Sequence, residues 1–174
     1  MTNLKPPVNE SDHHTGNTNA SITLVEYGDY ECSHCAHAHP LLKQLLEEKG
    51  DDFEFVFRNF PLNEVHPLAT LSALAAEAAG KQHKFWEMHD LIYENQAQLN
   101  RDSFVDFAES LNLDLEKFAA DLQSDEVSAK VESDFESGIR SGVNGTPSFF
   151  INGQKLTSYD GTYESLKSTL TRQV

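Results

Sequence analysis

Cys32 and Cys35 are the only cysteines of the chain and stand three apart, in Cys32-Ser33-His34-Cys35. Two cysteines scattered at random along a chain of this length would take that spacing about 1% of the time, so the pair reads as one unit. A Cys-x-x-Cys pair that follows a strand and opens a helix suits thiol–disulfide exchange. The first sulfur faces unpaired backbone N–H groups and the positive end of the helix dipole. Both favour thiolate, the species that attacks a disulfide. The second sulfur lies a turn deeper, close enough to form a disulfide and release a bound partner. Cys32 is therefore expected to be an exposed nucleophile and Cys35 a more buried resolving thiol.

Three further residues bear on this chemistry. His34 can stabilise a Cys32 thiolate by a hydrogen bond or as imidazolium, the alternative being a solvent-facing residue. A lower Cys32 pKa stabilises the reduced form and moves the couple toward oxidising behaviour. Glu26 shares strand parity with Ile22 and Leu24, which puts a carboxyl group on one face of an apolar strand six positions before Cys32. Burial raises its pKa, and a carboxyl poised near neutrality can take or return the Cys35 proton. The alternative is a glutamate near the strand end that reaches water. Pro147, after Gly145-Thr146 and at the head of a strand, is a candidate cis peptide, although trans is the commoner state.

The string from Cys32 to His39 also holds zinc-ligand types. On a helix, however, residues two apart diverge by about 200°, so Cys35, His37 and His39 cannot all converge. His39, four residues after Cys35, is the one well-placed additional ligand. No metal or organic cofactor is expected.

The elements that position these residues follow from hydrophobic period. Ile22 to Tyr27 is a β-branched apolar run with the pattern of a strand covered on both faces. Phe53 to Phe57 is a second strand, and Leu41, Leu42, Leu45 and Leu46 line a helix between them that ends at Gly50. After Pro61 the period is helical for about 80 residues, in five helices, one of them capped by Asp114. Ser148 to Ile151 returns to strand character, and Asn152-Gly153 gives a two-residue hairpin into Gln154–Leu156. Tyr163, Leu166 and Leu170 form the stripe of a closing helix. The expected organisation is a polar extended arm over 1–20, an α/β domain over 21–60 and 144–174, and an inserted helical subdomain over 61–143.

Composition narrows the partners. With 13 Lys and Arg against 28 Asp and Glu, the net charge is −15, which disfavours nucleic acid. No apolar run approaches the roughly 18–20 residues of a membrane span, so no membrane insertion is expected. The opening residues lack an apolar h-region and a cleavage site. This gives an expectation of the cytoplasm, or of the periplasm if the chain is a trimmed form.

Taken together, Glu26, Cys32-Ser33-His34-Cys35 at a helix start, Pro40 within that helix, Thr146-Pro147 before a hairpin and the closing helix resemble the thioredoxin superfamily. The inserted helical block is similar to its DsbA-like branch, and the resemblance covers residues 21–174. It implies an α/β, thioredoxin-like fold: a central mixed sheet of about four strands with an inserted all-helical subdomain. It implies a thiol–disulfide oxidoreductase with Cys32 as low-pKa nucleophile, Cys35 as resolving thiol, His34 as the histidine before the second cysteine and Glu26 as the buried acid. Pro147 would be cis, and Thr146 would offer backbone hydrogen bonds to an extended substrate. Expected partners are extended polypeptide thiols and disulfides and a recycling partner, glutathione or a thioredoxin-type system. Ser33 stands where the best-known oxidants of this branch carry proline, so the motif leaves the direction of electron flow open. Two other functions fit the same residues. One is a holdase-like or partner-binding protein with an incidental cysteine pair, and the other is glutathione- or peroxide-dependent chemistry on small thiols.

Overall fold

Five strands, seven α-helices and one short 3-10 turn make up the computed structural model, which describes residues 3–171. The strands are β1 (His13–Gly16), β2 (Thr23–Gly28), β3 (Glu54–Asn59), β4 (Ser148–Ile151) and β5 (Gln154–Lys155). They form one mixed sheet in the order β1-β3-β2-β4-β5. The helices are α1 (Ser33–Lys49), α2 (Ala69–Gly80), α3 (Phe85–Glu94), α4 (Ser103–Ser110), α5 (Leu115–Asp121), α6 (Asp125–Arg140) and α7 (Tyr163–Thr171). No helix among the described residues is long and apolar enough to cross a membrane. Residues 1, 2 and 172–174, at the ends of the expected arm and α/β domain, lie outside the described residues.

The chain divides into two compact units. The first holds the described residues of Met1–Gly28, Cys32–Arg58 and Glu136–Val174, and the second holds Asp29–Glu31 and Asn59–Phe135.

In the first unit the central strands β2 and β3 are buried on both faces, as their near-continuous apolar runs require. Strand β4 pairs antiparallel with β2 and sets Glu26 directly opposite Phe149. The β4–β5 hairpin turns through Asn152 and Gly153, both at positive φ, as a two-residue turn demands.

The residues expected to form an extended arm are tied down along most of their length. His13–Gly16 adds β1 to the sheet by pairing antiparallel with β3. Gly16, at φ +77, passes so close to the Phe53 carbonyl that a Cβ would sit 2.5 Å from its oxygen. Leu4 is buried and donates its N–H to Gly153 O at 2.7 Å. Arg58, almost fully buried, grips Asp12 through two 2.8 Å bonds and also donates to the carbonyls of Pro6 and Pro7. The sheet therefore has one strand more than the hydrophobic pattern indicates. His-His-Thr-Gly contributes backbone hydrogen bonds rather than an apolar face, so periodicity does not mark it.

In the second unit α2 is buried nearly all round through Ala69, Ala73, Ala75, Ala76, Ala78 and Ala79. Small side chains allow neighbouring helices to approach closely. Phe60 stacks on Phe135 with ring centroids 4.5 Å apart. Asn59 bridges two buried carboxylates, its amide donating to Glu77 at 2.7 Å and to Asp134 at 3.0 Å. Asp114 caps α5 by accepting from Lys117 N at 3.0 Å.

Candidate active site

Cys32 is the N-cap of α1, with extended backbone angles, and Cys35 lies in the first turn. The helix keeps Pro40 within it and carries no acidic residue in that turn, so its unpaired N–H groups act on sulfur without a competing anion. The two thiols are not joined in a disulfide and stand 3.9 Å apart. Cys35 is fully buried. Cys32, expected to be exposed, is itself only 7% exposed. The Cys32 thiol donates to the Thr146 carbonyl at 3.4 Å, so the loop before β4 covers part of it.

The Cys32 thiol is pulled down to about 5, chiefly by its hydrogen bond with the Cys35 thiol. Burial opposes this, while Thr146 and the backbone N–H groups of Cys35 and His34 add to it. A carbonyl cannot donate to a thiolate. The Thr146 hydroxyl, whose oxygen is buried without a hydrogen-bond partner, is the group there that can. His34 therefore differs from the expectation in its means. Its side chain is exposed, and its contribution to the thiolate comes through its backbone N–H.

Glu26 sits on β2 with 2% of its surface exposed, and its Oε1 has no hydrogen-bond partner. The alternative in which it reaches water does not hold. Burial, and after it the charge on Cys32, pushes its carboxyl up to about 8. At neutral pH the acid is mostly protonated.

The Thr146–Pro147 bond is cis. Both residues line an open depression of about 450 Å³ together with Asn144, Phe149, Leu156 and Tyr159. Tyr159 escapes sequence reasoning, since it lies in a loop with no period. It is half-buried, its ring packs edge-on to Phe149 at 4.9 Å, and its phenol is pushed up by burial and by the nearby charges of Glu26 and Cys35. Of the candidate zinc ligands, His37 is engaged elsewhere, donating from Nε2 to Gly161 O at 2.8 Å. Among the described residues, no cluster of three or more potential metal ligands includes either cysteine. The arrangement brings together one ionised sulfur, a second sulfur in contact with it, a neutral buried acid and an open depression beside them. That set can break and form a disulfide.

A family model described as Thioredoxin matches residues 8–172. Among solved structures, the chain is similar to the thiol-disulfide exchange protein alpha-DsbA2 from Wolbachia pipientis, with a TM-score of 0.83, 20% identity and coverage of 95% of this chain and 89% of that one. Oxidised BdbD from Bacillus subtilis gives a TM-score of 0.80 at 23% identity, covering 94% and 92%. Among curated proteins, the Na(+)/H(+) antiporter NhaA 1 of Salinispora arenicola is 40% identical over 174 residues, 98% of this chain but 26% of that protein. The antiporter NhaA of Herminiimonas arsenicoxydans is 43% identical over 159 residues, 90% of this chain and 25% of that protein. The chain thus spans about a quarter of the length of these curated relatives.

Proposed function

The chain belongs to the thioredoxin family and its fold is similar to those of DsbA-like proteins, and from that premise we propose that it is a protein thiol–disulfide oxidoreductase working through Cys32 and Cys35. The observation that carries this reading is the Cys32 sulfur, held at the N-cap of α1 beside Cys35 and pulled down to about 5. In the oxidising direction, a substrate thiolate attacks Cys32 in the Cys32–Cys35 disulfide, and Cys35 leaves as a thiolate that Glu26 can protonate. The substrate's second thiolate then attacks its own sulfur in the mixed disulfide. Cys32 departs as a stable thiolate, and the substrate carries the new disulfide. The depression beside Thr146 and Pro147 receives the extended substrate.

A thiol ionised this far below neutrality favours the reduced enzyme, so the net direction proposed is oxidation of substrate thiols. The test is equilibration of the cysteine pair against glutathione buffers at pH 7, together with oxidation of a reduced, unfolded protein by the wild type and by Cys32→Ser. The expected potential lies toward the oxidant end, about −120 mV, of a range reaching about −270 mV for thioredoxin. No intramolecular disulfide, or undiminished oxidation by Cys32→Ser, overturns the reading.

A further inference from the structure

Two observations beside the active site have no part in the exchange steps just given: a half-buried tyrosine on an irregular loop, and a histidine of α1 that holds this loop. Tyr159 precedes Asp160, whose carboxylate accepts from Thr162 N at 3.0 Å and Thr162 Oγ1 at 2.6 Å. Gly161, two residues beyond Tyr159, is held by His37 Nε2 at 2.8 Å. The loop is thereby anchored to the helix that carries the cysteines. From this anchor the Tyr159 ring reaches back onto Phe149, with centroids 4.9 Å apart. Phe149 is the direct cross-strand partner of Glu26, so its side chain and the carboxyl share one face of the sheet. Tyr159 also lines the open depression next to Thr146 and Pro147. Solvent therefore lies on one side of the aromatic pair, and the strand pair that carries Glu26 lies on the other.

We propose that Tyr159 is a positioning residue, a lid fixed by His37 that keeps water from the depression away from Glu26 and Cys35. This rests on the reading of Glu26 as the acid that serves Cys35. In the resolving step, Cys35–SH gives its proton to the Glu26 carboxylate. The Cys35 thiolate then attacks Cys32 in the mixed disulfide, the Cys32–Cys35 bond forms, and the partner leaves as a thiolate with the electron pair. The share of Glu26 carboxylate available for that transfer is set by how high the carboxyl stands, and burial is the main reason it stands so high. The titratable group acting on Glu26 is Cys32, and Glu26 in turn acts on the Tyr159 phenol. On the neighbouring strand β3 the charged side chains are already engaged, Glu54 by His14 and Thr23, and Arg58 by Asp12 and Tyr27.

The test uses the mixed disulfide of Cys32 with 5-thio-2-nitrobenzoate, whose release by Cys35 is followed in a single turnover from pH 5 to 9. The Glu26 carboxyl is titrated in parallel by carbon-13 NMR of the reduced protein. Tyr159→Ala is expected to lower the Glu26 midpoint by about one pH unit or more and to move the release profile with it. Tyr159→Phe, which keeps the ring, is expected to restore both. His37→Ala, a change at an exposed side chain, should shift the midpoint in the same direction by a smaller amount, and it decides the matter if Tyr159→Ala does not fold. A Glu26 midpoint unmoved by Tyr159→Ala, or by His37→Ala in its place, overturns the proposal. A shift in Tyr159→Ala that persists in Tyr159→Phe overturns it as well, since the hydroxyl would then be the active part. If the wild-type carboxyl itself titrates near pH 4.5, the reading of Glu26 has failed and the lid falls with it, a result the NMR titration gives without any exchange chemistry.

Discussion

Replacing Glu26 by Gln should remove a sizeable contribution to the pH dependence of stability. Between pH 4.5 and about 8 the unfolded chain carries this carboxyl charged, whereas the native reduced protein keeps it neutral. Through that window the native state binds more protons than the unfolded state, so stability falls as pH rises, by about 1.36 kcal/mol per pH unit. From pH 4.5 to 7 the loss amounts to about 3 kcal/mol, a large share of the roughly 5–15 kcal/mol that holds an ordinary domain together. Below pH 4.5 both states hold the proton and the contribution is constant. An amide is isosteric and has no charge to desolvate, and any fixed cost of burying it cancels when one pH is compared with another. Urea unfolding of reduced wild type and Glu26→Gln at pH 4.5, 5.5, 6.5 and 7 measures the quantity directly. The variant should gain about 3 kcal/mol on the wild type across the series. In the oxidised protein the Cys32 charge is gone, but burial is the larger cause, so the gain should shrink without vanishing. A stability difference between the two proteins that stays level across the series refutes the argument.

The same site gives two expectations about Cys32. Alkylation of the reduced protein against pH should show a midpoint near 5, and Cys35→Ala should raise it by about one unit or more because the Cys35 thiol is the largest contributor. His34→Ala should move it by less than about half a unit, since the backbone N–H is retained; a larger shift would mean that the imidazole acts on sulfur after all. With Cys32 ionised, reduction near pH 7 takes up about one proton rather than two. The potential should therefore fall by about 30 mV per pH unit instead of about 59 mV, and the steeper slope would show Cys32 still protonated. Away from the site, Asp12→Ala leaves the buried Arg58 guanidinium without its counter-charge. It should cost about 3–5 kcal/mol in urea unfolding, and a loss below about 1 kcal/mol would show the clamp on the arm to be weak.

Which parts of this site can be read without coordinates depends on whether a residue's environment is set by its own segment. Cys32 and Cys35 are legible because a turn of helix alone fixes their separation and their exposure to backbone N–H groups. Glu26 is legible because strand parity alone puts it on the face of Ile22 and Leu24, and an apolar strand leaves a carboxyl little else to face. His34 is not legible, for the converse reason. Adjacency to a cysteine in sequence does not aim an imidazole at its sulfur, and at a helix N-terminus the backbone already occupies that role. Strand β1 is missed because a polar four-residue ladder has no hydrophobic signature, and the grip of Arg58 on Asp12 spans 46 positions. Tyr159 is the extreme case. Its relation to Glu26 runs through the β2–β4 register, which sets Phe149 opposite the acid, and through His37, which holds Gly161. Each link is a contact between segments more than a hundred residues apart in sequence or hidden in an irregular loop, so no local pattern can encode it. The chemistry of the sulfurs is therefore local, whereas the seal over the acid that serves them depends on tertiary structure. Substitutions in α1 should act mainly on Cys32, and those in the Tyr159 loop on Glu26.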